Sequence, residues 1–137
     1  MEDVAKNNTL QKPIVYGIPN CDITKKTMDW FKKNKTAVIF HDYKVEGITK
    51  EKLTEWSKKI SWEILLNKKS STWRGIPVSR QEKITNHTAA IALMLEHNSI
   101  IKRPVIEYGD QLLVGFNEEA YKGLLNIPLQ KKPEPLE

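Results

Sequence analysis

Pro13-Ile14-Val15-Tyr16-Gly17-Ile18-Pro19-Asn20-Cys21 is the stretch that decides the fold. Its first half is a short apolar run rich in β-branched residues, the make-up of a buried strand, and Pro19-Asn20 closes it with a turn. From Asp22 to Asn34 the period changes. Ile23, Thr27, Trp30 and Phe31 recur on one side and Lys25, Lys26, Asp29, Lys32 and Lys33 on the other, the 3.6-residue repeat of an amphipathic helix. Cys21 therefore stands at a helix start, directly after a strand and a turn. Thr36 to Tyr43 is strand-like again, so strand, helix and strand make a βαβ unit with parallel strands and a right-handed crossover.

Outward from this unit the middle of the chain reads as helical. Gly47 breaks the chain, Thr49 caps a helix whose inner face is Leu53, Trp56 and Ile60, and Ser61 caps a short one through Ile64, Leu65 and Leu66. Asn67 to Val78 reads as irregular, Ser79 with Glu82 has the spacing of a capping box, and Thr85 to Glu96 continues as a largely buried helix. Pro104 to Tyr108 and Gln111 to Gly115, joined by Gly109-Asp110, read as an antiparallel hairpin, and Asn117 caps a last helix. The order is βαβ, helices, ββα. It describes an α/β domain over residues 13–126 with a helical insertion at about 49–99, between the second and third strands. Residues 1–12 and 127–137 read as flexible tails.

Composition narrows the function. The chain has 137 residues, a formal net charge of +5, 39% hydrophobic residues and one cysteine. A chain of this size buries roughly two thirds of its unfolded surface and needs no covalent staple. A single cysteine excludes an internal disulfide and a cysteine-rich zinc cluster, and His41, His87 and His97 share no ligand spacing, so no metal is expected. The lysines are scattered in pairs among acidic residues instead of forming a basic stripe, which argues against a nucleic-acid partner. No apolar run is long enough to span a membrane or serve as a secretory signal, so the expected location is cytoplasmic, without a membrane partner. Glycine loops of nucleotide sites are absent.

The chemistry concentrates at Cys21. A thiol at a helix start faces free backbone N–H groups and the positive end of the helix dipole, which favour thiolate over thiol. The alternative is a small buried filler, the commoner fate of a free cysteine. Exposure at the tip of a βα unit speaks for reactivity. Thr24 occupies the position where dithiol redox proteins place their second cysteine; its hydroxyl can donate to the thiolate but cannot resolve a mixed disulfide, so a redox cycle needs an external thiol. Asn20 flanks the cysteine. Arg103-Pro104 stands before a strand that the topology brings beside the first; its guanidinium forks onto oxyanions, and its X-Pro bond is a candidate for the cis form. Taken alone, Arg103 and Arg74 also read as ordinary surface arginines.

With Tyr16 to Cys21, His41-Asp42-Tyr43, Leu65-Leu66-Asn67, Thr72-Trp73-Arg74, Ile100 to Val105 and Val114-Gly115-Phe116, the chain resembles the ArsC-like arsenate reductase family, closest to its YffB and Spx/MgsR-type branch. The resemblance spans about residues 13–126 and implies a thioredoxin-like fold. It implies Cys21 as nucleophile, Arg103 as support for the thiolate and its anionic adduct, and Pro104 as a cis-proline. Asn67 and Gly115 stand where arsenate reductases of this family carry two more arginines, which argues against arsenate. The resulting expectation is a monothiol, glutathione-dependent thiol reductase. No cofactor is bound; glutathione is the co-substrate and glutaredoxin a partner. Asn20, Thr24, Asn67, Arg74 and Pro104 would line the binding site. Arsenate reduction with glutathione or glutaredoxin is the first alternative. An Spx-like regulator binding RNA polymerase, or a binding module with an inert thiol, are the others.

Overall fold

A computed structural model describes residues 12–126. In chain order its elements are β1 (Ile14–Gly17), α1 (Asp22–Lys33), β2 (Ile39–Asp42), α2 (Tyr43–Glu46), α3 (Lys50–Lys59), α4 (Trp62–Leu65), α5 (Ser71–Arg74), α6 (Val78–Gln81), α7 (His87–Glu96), a 3-10 turn (Asn98–Ile100), β3 (Val105–Tyr108), β4 (Gln111–Val114) and α8 (Glu118–Leu125). The strands form one sheet in the order β2-β1-β3-β4. β1 runs parallel to β2, with Ile14 opposite Ile39, and antiparallel to β3, with Tyr16 opposite Val105. The β3–β4 pair is the expected hairpin, turning through Gly109 at φ 60°.

Alternation along the strands separates two cores. Val15 and Ile106 face Trp30 and Phe31 of α1 and Tyr121 and Leu124 of α8. Tyr16 and Val105 face the other way, onto Leu53, Trp56, Leu65, Ala90, Ile91 and Met94 of the helices between β2 and β3. This is the thioredoxin-like βαβ…ββα arrangement with its helical insertion.

Two polar devices tie the insertion down. Glu107, 9% exposed, accepts from the Tyr16 hydroxyl (2.6 Å), the Trp56 indole N–H (2.8 Å) and the Lys52 ammonium (3.0 Å), joining α3 to two strands. Burial pushes its carboxyl up, but those three donors outweigh it and hold the group below the usual carboxylate range. The second device is a clasp. Leu66 bridges Ile101, the Asn67 N–H donates to Ile100 O (2.8 Å) and the Lys102 N–H donates to Leu65 O (2.7 Å).

Several local expectations change. β2 is shorter than the apolar run: Thr36 to Val38 lie outside the strand, and Tyr43 opens α2, because Asp42 accepts the Lys44 N–H (2.8 Å) and caps it. Ser79 is no cap. Pro77, whose ring fixes an extended entry, precedes α6 and leaves Ser79 inside it. The stretch from Asn67 to Val78 holds the helical turn α5, capped by Ser70 Oγ on the Trp73 N–H (3.0 Å). α7 starts at His87, capped by Asn86, and not at Thr85. On α1, Thr24 is buried in place of Ile23, which is 42% exposed. The caps at Thr49, Ser61 and Asn117 are as read. The tails at 1–12 and 127–137 lie outside the described residues, Lys12 excepted.

Candidate active site

Cys21 is the N-cap residue of α1, in extended conformation (φ −97°, ψ 126°) and partly exposed. Its own N–H donates to Ile18 O (3.2 Å), closing the Pro19-Asn20 turn, and its carbonyl accepts from the Lys25 N–H (3.0 Å), starting the helix. The sulfur thus lies where the first helical N–H groups have no carbonyl to meet. Gly17 makes this placement possible. A Cβ there would stand 2.7 Å from Thr24 Oγ1, so only glycine lets α1 settle this close to the end of β1. Thr24, 1% exposed, fills the space.

Burial pushes the Cys21 thiol up. The Thr24 N–H, the Arg103 guanidinium, the Thr24 hydroxyl and the Ile23 N–H act against it, and together they hold the thiol below its ordinary range. Thr24 Oγ1 and Arg103 Nε are buried and have no hydrogen-bond partner among the described residues. Arg103 is fixed from behind: one guanidinium N–H donates to Ser99 O (2.8 Å), and Ser99 Oγ pairs with Thr72 Oγ1 (2.8 Å). The following peptide bond, Arg103-Pro104, is cis, and Pro104 O accepts the Gly115 N–H (2.8 Å). An open groove of about 290 Å³ leads away from Thr24, along Pro19, Met28 and Phe40, with Lys25 and Asp29 on its rim.

Of the residues singled out in the sequence, Cys21, Thr24, Arg103 and Pro104 come together. Asn20 is exposed in the turn, and its side chain makes no hydrogen bond among the described residues. Asn67 turns its Oδ1 to the Lys69 N–H (3.0 Å), a local turn contact. Arg74 is exposed at the end of α5, and nothing links its side chain to Cys21. Gly115 has φ 88°, where any side chain is strained, and the Lys102 stem passes 3.5 Å from the point where a Cβ would stand. Gly17 and Ser99 escaped the sequence reading of the site. Gly17 had a signal, a glycine inside a β-branched run, which marks close approach of another element. For Ser99 the sequence holds none.

The ArsC family pattern matches residues 16–124. An uncharacterized protein of Haemophilus influenzae is 36% identical over 108 residues, 79% of this chain and 94% of that protein. Among solved structures, the YFFB protein is 39% identical with a TM-score of 0.79, covering 83% of this chain and 99% of its own. An arsenate reductase (ArsC) related protein of Brucella melitensis is 36% identical with a TM-score of 0.68, covering 85% and 96%. No helix among the described residues is long and apolar enough to cross a membrane. The Cys21 turn, the Arg103-Pro104 approach and these matches agree: the chain belongs to the ArsC family of thioredoxin-like, arsenate reductase-like proteins.

Proposed function

We propose that the protein is a monothiol, glutathione-dependent thiol reductase. One observation carries this reading: the donors at Cys21 favour a thiolate, while Thr24 occupies the place of a resolving thiol in a chain that has no second cysteine. The Cys21 thiolate attacks the glutathione sulfur of a mixed disulfide R–S–S–G. The S–S bond of the mixed disulfide breaks, R–S⁻ leaves and takes a proton from water, and glutathione stays on Cys21 through a new S–S bond. A second glutathione thiolate attacks the Cys21-bound glutathione sulfur, forms glutathione disulfide and returns the Cys21 thiolate. Each cycle reduces one mixed disulfide and oxidises one glutathione pair. A glutaredoxin thiol is the alternative reductant for the second step.

Arg103 holds the anion beside the sulfur through charge-assisted hydrogen bonds. Arsenate is the poorer substrate, since Asn67 and Gly115 contribute no cationic fork. An RNA polymerase-binding role draws on no feature of the Cys21 site.

The test is the pH dependence of Cys21 alkylation by iodoacetamide, with glutathione or arsenate present, alongside turnover of Cys21→Ser. A pKa below the ordinary range, protection by glutathione and a loss of more than about 10³-fold on Cys21→Ser are expected. Protection by arsenate alone would move the assignment to arsenate reduction. Turnover that survives Cys21→Ser would end it.

A further inference from the structure

In the order β2-β1-β3-β4, β2 is an outer strand, and among the described residues no strand pairs with its far side. The Ile39 N–H donates to Pro13 O (2.9 Å), so Ile39 and His41 turn their backbone groups to β1, and Phe40, between them, turns its N–H and C=O to the open side. Outer strands are normally guarded by a charge, a proline or a covering segment, because an open row of donors and acceptors pairs with an extended chain. The run Thr36-Ala37-Val38-Ile39-Phe40 holds neither charge nor proline, and Ile39 is 51% exposed.

The Phe40 side chain joins this edge to the active site. It packs on the core of Val15, Trp30 and Phe31 and forms one wall of the groove of about 290 Å³, whose other walls include Pro19, Thr24 and Met28. Strand edge and groove thus share a residue. Thr24 closes the groove at the thiol: its N–H and hydroxyl support the Cys21 sulfur, and its buried Oγ1 has no hydrogen-bond partner among the described residues. On the rim, Lys25 and Asp29 have opposite charges and leave the groove without net charge. An apolar floor under a charge-neutral rim complements an uncharged chain, and the groove is continuous with the sulfur that the substrate must reach.

We propose that the β2 edge and this groove receive an extended polypeptide by strand addition, so that the substrate is a glutathionylated protein whose modified cysteine lies in an uncharged, extended segment. The backbone of the segment pairs with Phe40 N–H and C=O, and every second side chain enters the groove. The modified cysteine lies at the Thr24 end, and the apolar residues follow along Met28 and Phe40. This rests on the thiol-reductase reading and names R in R–S–S–G as a protein chain. The bond changes are those given above, with the peptide thiolate as the leaving group.

Glutathionylation of Cys21 is measured with two disulfides: a short end-capped peptide whose cysteine is flanked by alternating valine and threonine and joined to glutathione, and glutathione disulfide, which offers no extended segment. The peptide disulfide reacts at least about tenfold faster, and N-methylation of its backbone erases that advantage at alternate residues on one side of the cysteine while sparing the residues between. With the unreactive peptide in which serine replaces cysteine, the Phe40 amide gains protection from hydrogen exchange. No advantage for the peptide, an N-methylation pattern without alternation, or an unprotected Phe40 amide overturns the proposal. So does a dimer of the free protein in sedimentation that the peptide leaves intact, which gives the edge to a second copy of this chain. If the protein reacts with neither disulfide, the thiol-reductase reading itself falls. If glutathione disulfide reacts and the peptide gains nothing, only the strand addition falls.

Discussion

Around Glu107, the Tyr16 hydroxyl, the Trp56 indole and the Lys52 ammonium converge on one carboxylate and all three donors are used. Beside Cys21, Thr24 Oγ1 and Arg103 Nε are as enclosed and lack a hydrogen-bond partner among the described residues. The first spends its hydrogen bonds on the fold, fastening the insertion to two strands. The second withholds them, which costs folding free energy and leaves donors ready for a ligand. Satisfaction, more than polarity or depth, separates the structural cluster from the functional one.

Glu107→Leu should break the first cluster with the largest effect. It orphans the Tyr16 and Trp56 donors, while Lys52, 31% exposed at its side chain and 3.6 Å from Glu55, finds another partner. A loss of about 3 kcal/mol in urea unfolding is expected. The pH dependence follows from the same group. The Glu107 carboxyl is held below its unfolded value of ~4.3, so its stabilisation is present above that pH and is lost as pH falls through the folded value. Glu107→Leu should flatten that acid limb; a limb as steep as in the wild type would assign it to other carboxylates.

Gly17→Ala comes next and strikes the frame of the second cluster. The new Cβ meets Thr24 Oγ1 at 2.7 Å, for a cost of about 1–3 kcal/mol. The double change Gly17→Ala/Thr24→Ala should regain part of it, and strictly additive effects would mean that the clash relaxes elsewhere.

Arg103→Ala has the smallest expected effect, confined to chemistry. The Cys21 pKa should move up, slowing alkylation at neutral pH with little change in urea midpoint. Because the folded thiol titrates below its unfolded value of ~8.5, the wild-type fold gains stability as pH rises through the folded pKa, and loses it on the way down. That gain should shrink in Arg103→Ala. An unshifted pKa would leave the helix N-terminus and Thr24 as the only thiolate support.

Much of the frame was legible because its signals are local. The β1 run, the Cys21 turn and the caps Thr49, Ser61 and Asn117 each depend on a few adjacent residues, and the paired strands follow from the order of elements. The misreadings arose where a distant partner decides. Ile23 is the better apolar residue, yet Thr24 is buried, because the hole it fills is made by Gly17 on another element. Ser79 has the chemistry of a cap, but Pro77 sets the entry and Gln81 Nε2 donates to Trp73 O (2.8 Å) across the turn. Cys21, Thr24 and Arg103 could be named from sequence by chemistry and position. Ser99 could not, since its carbonyl meets Arg103 only through the 3-10 turn that carries it.

The clasp at Leu66 and Ile101 also sets what evolution is free to change. The chain leaves the sheet side at Asn67 and returns at Ile100, hydrogen-bonded to itself at the crossing, so Arg103 takes its position from Leu65 and Ser99. Between those points α5 is held, with Thr72 on Ser99 and Trp73 in the core, whereas α6 has no buried residue and can be recomposed without re-aiming the guanidinium. Variation at α6 is expected to be neutral for the thiol.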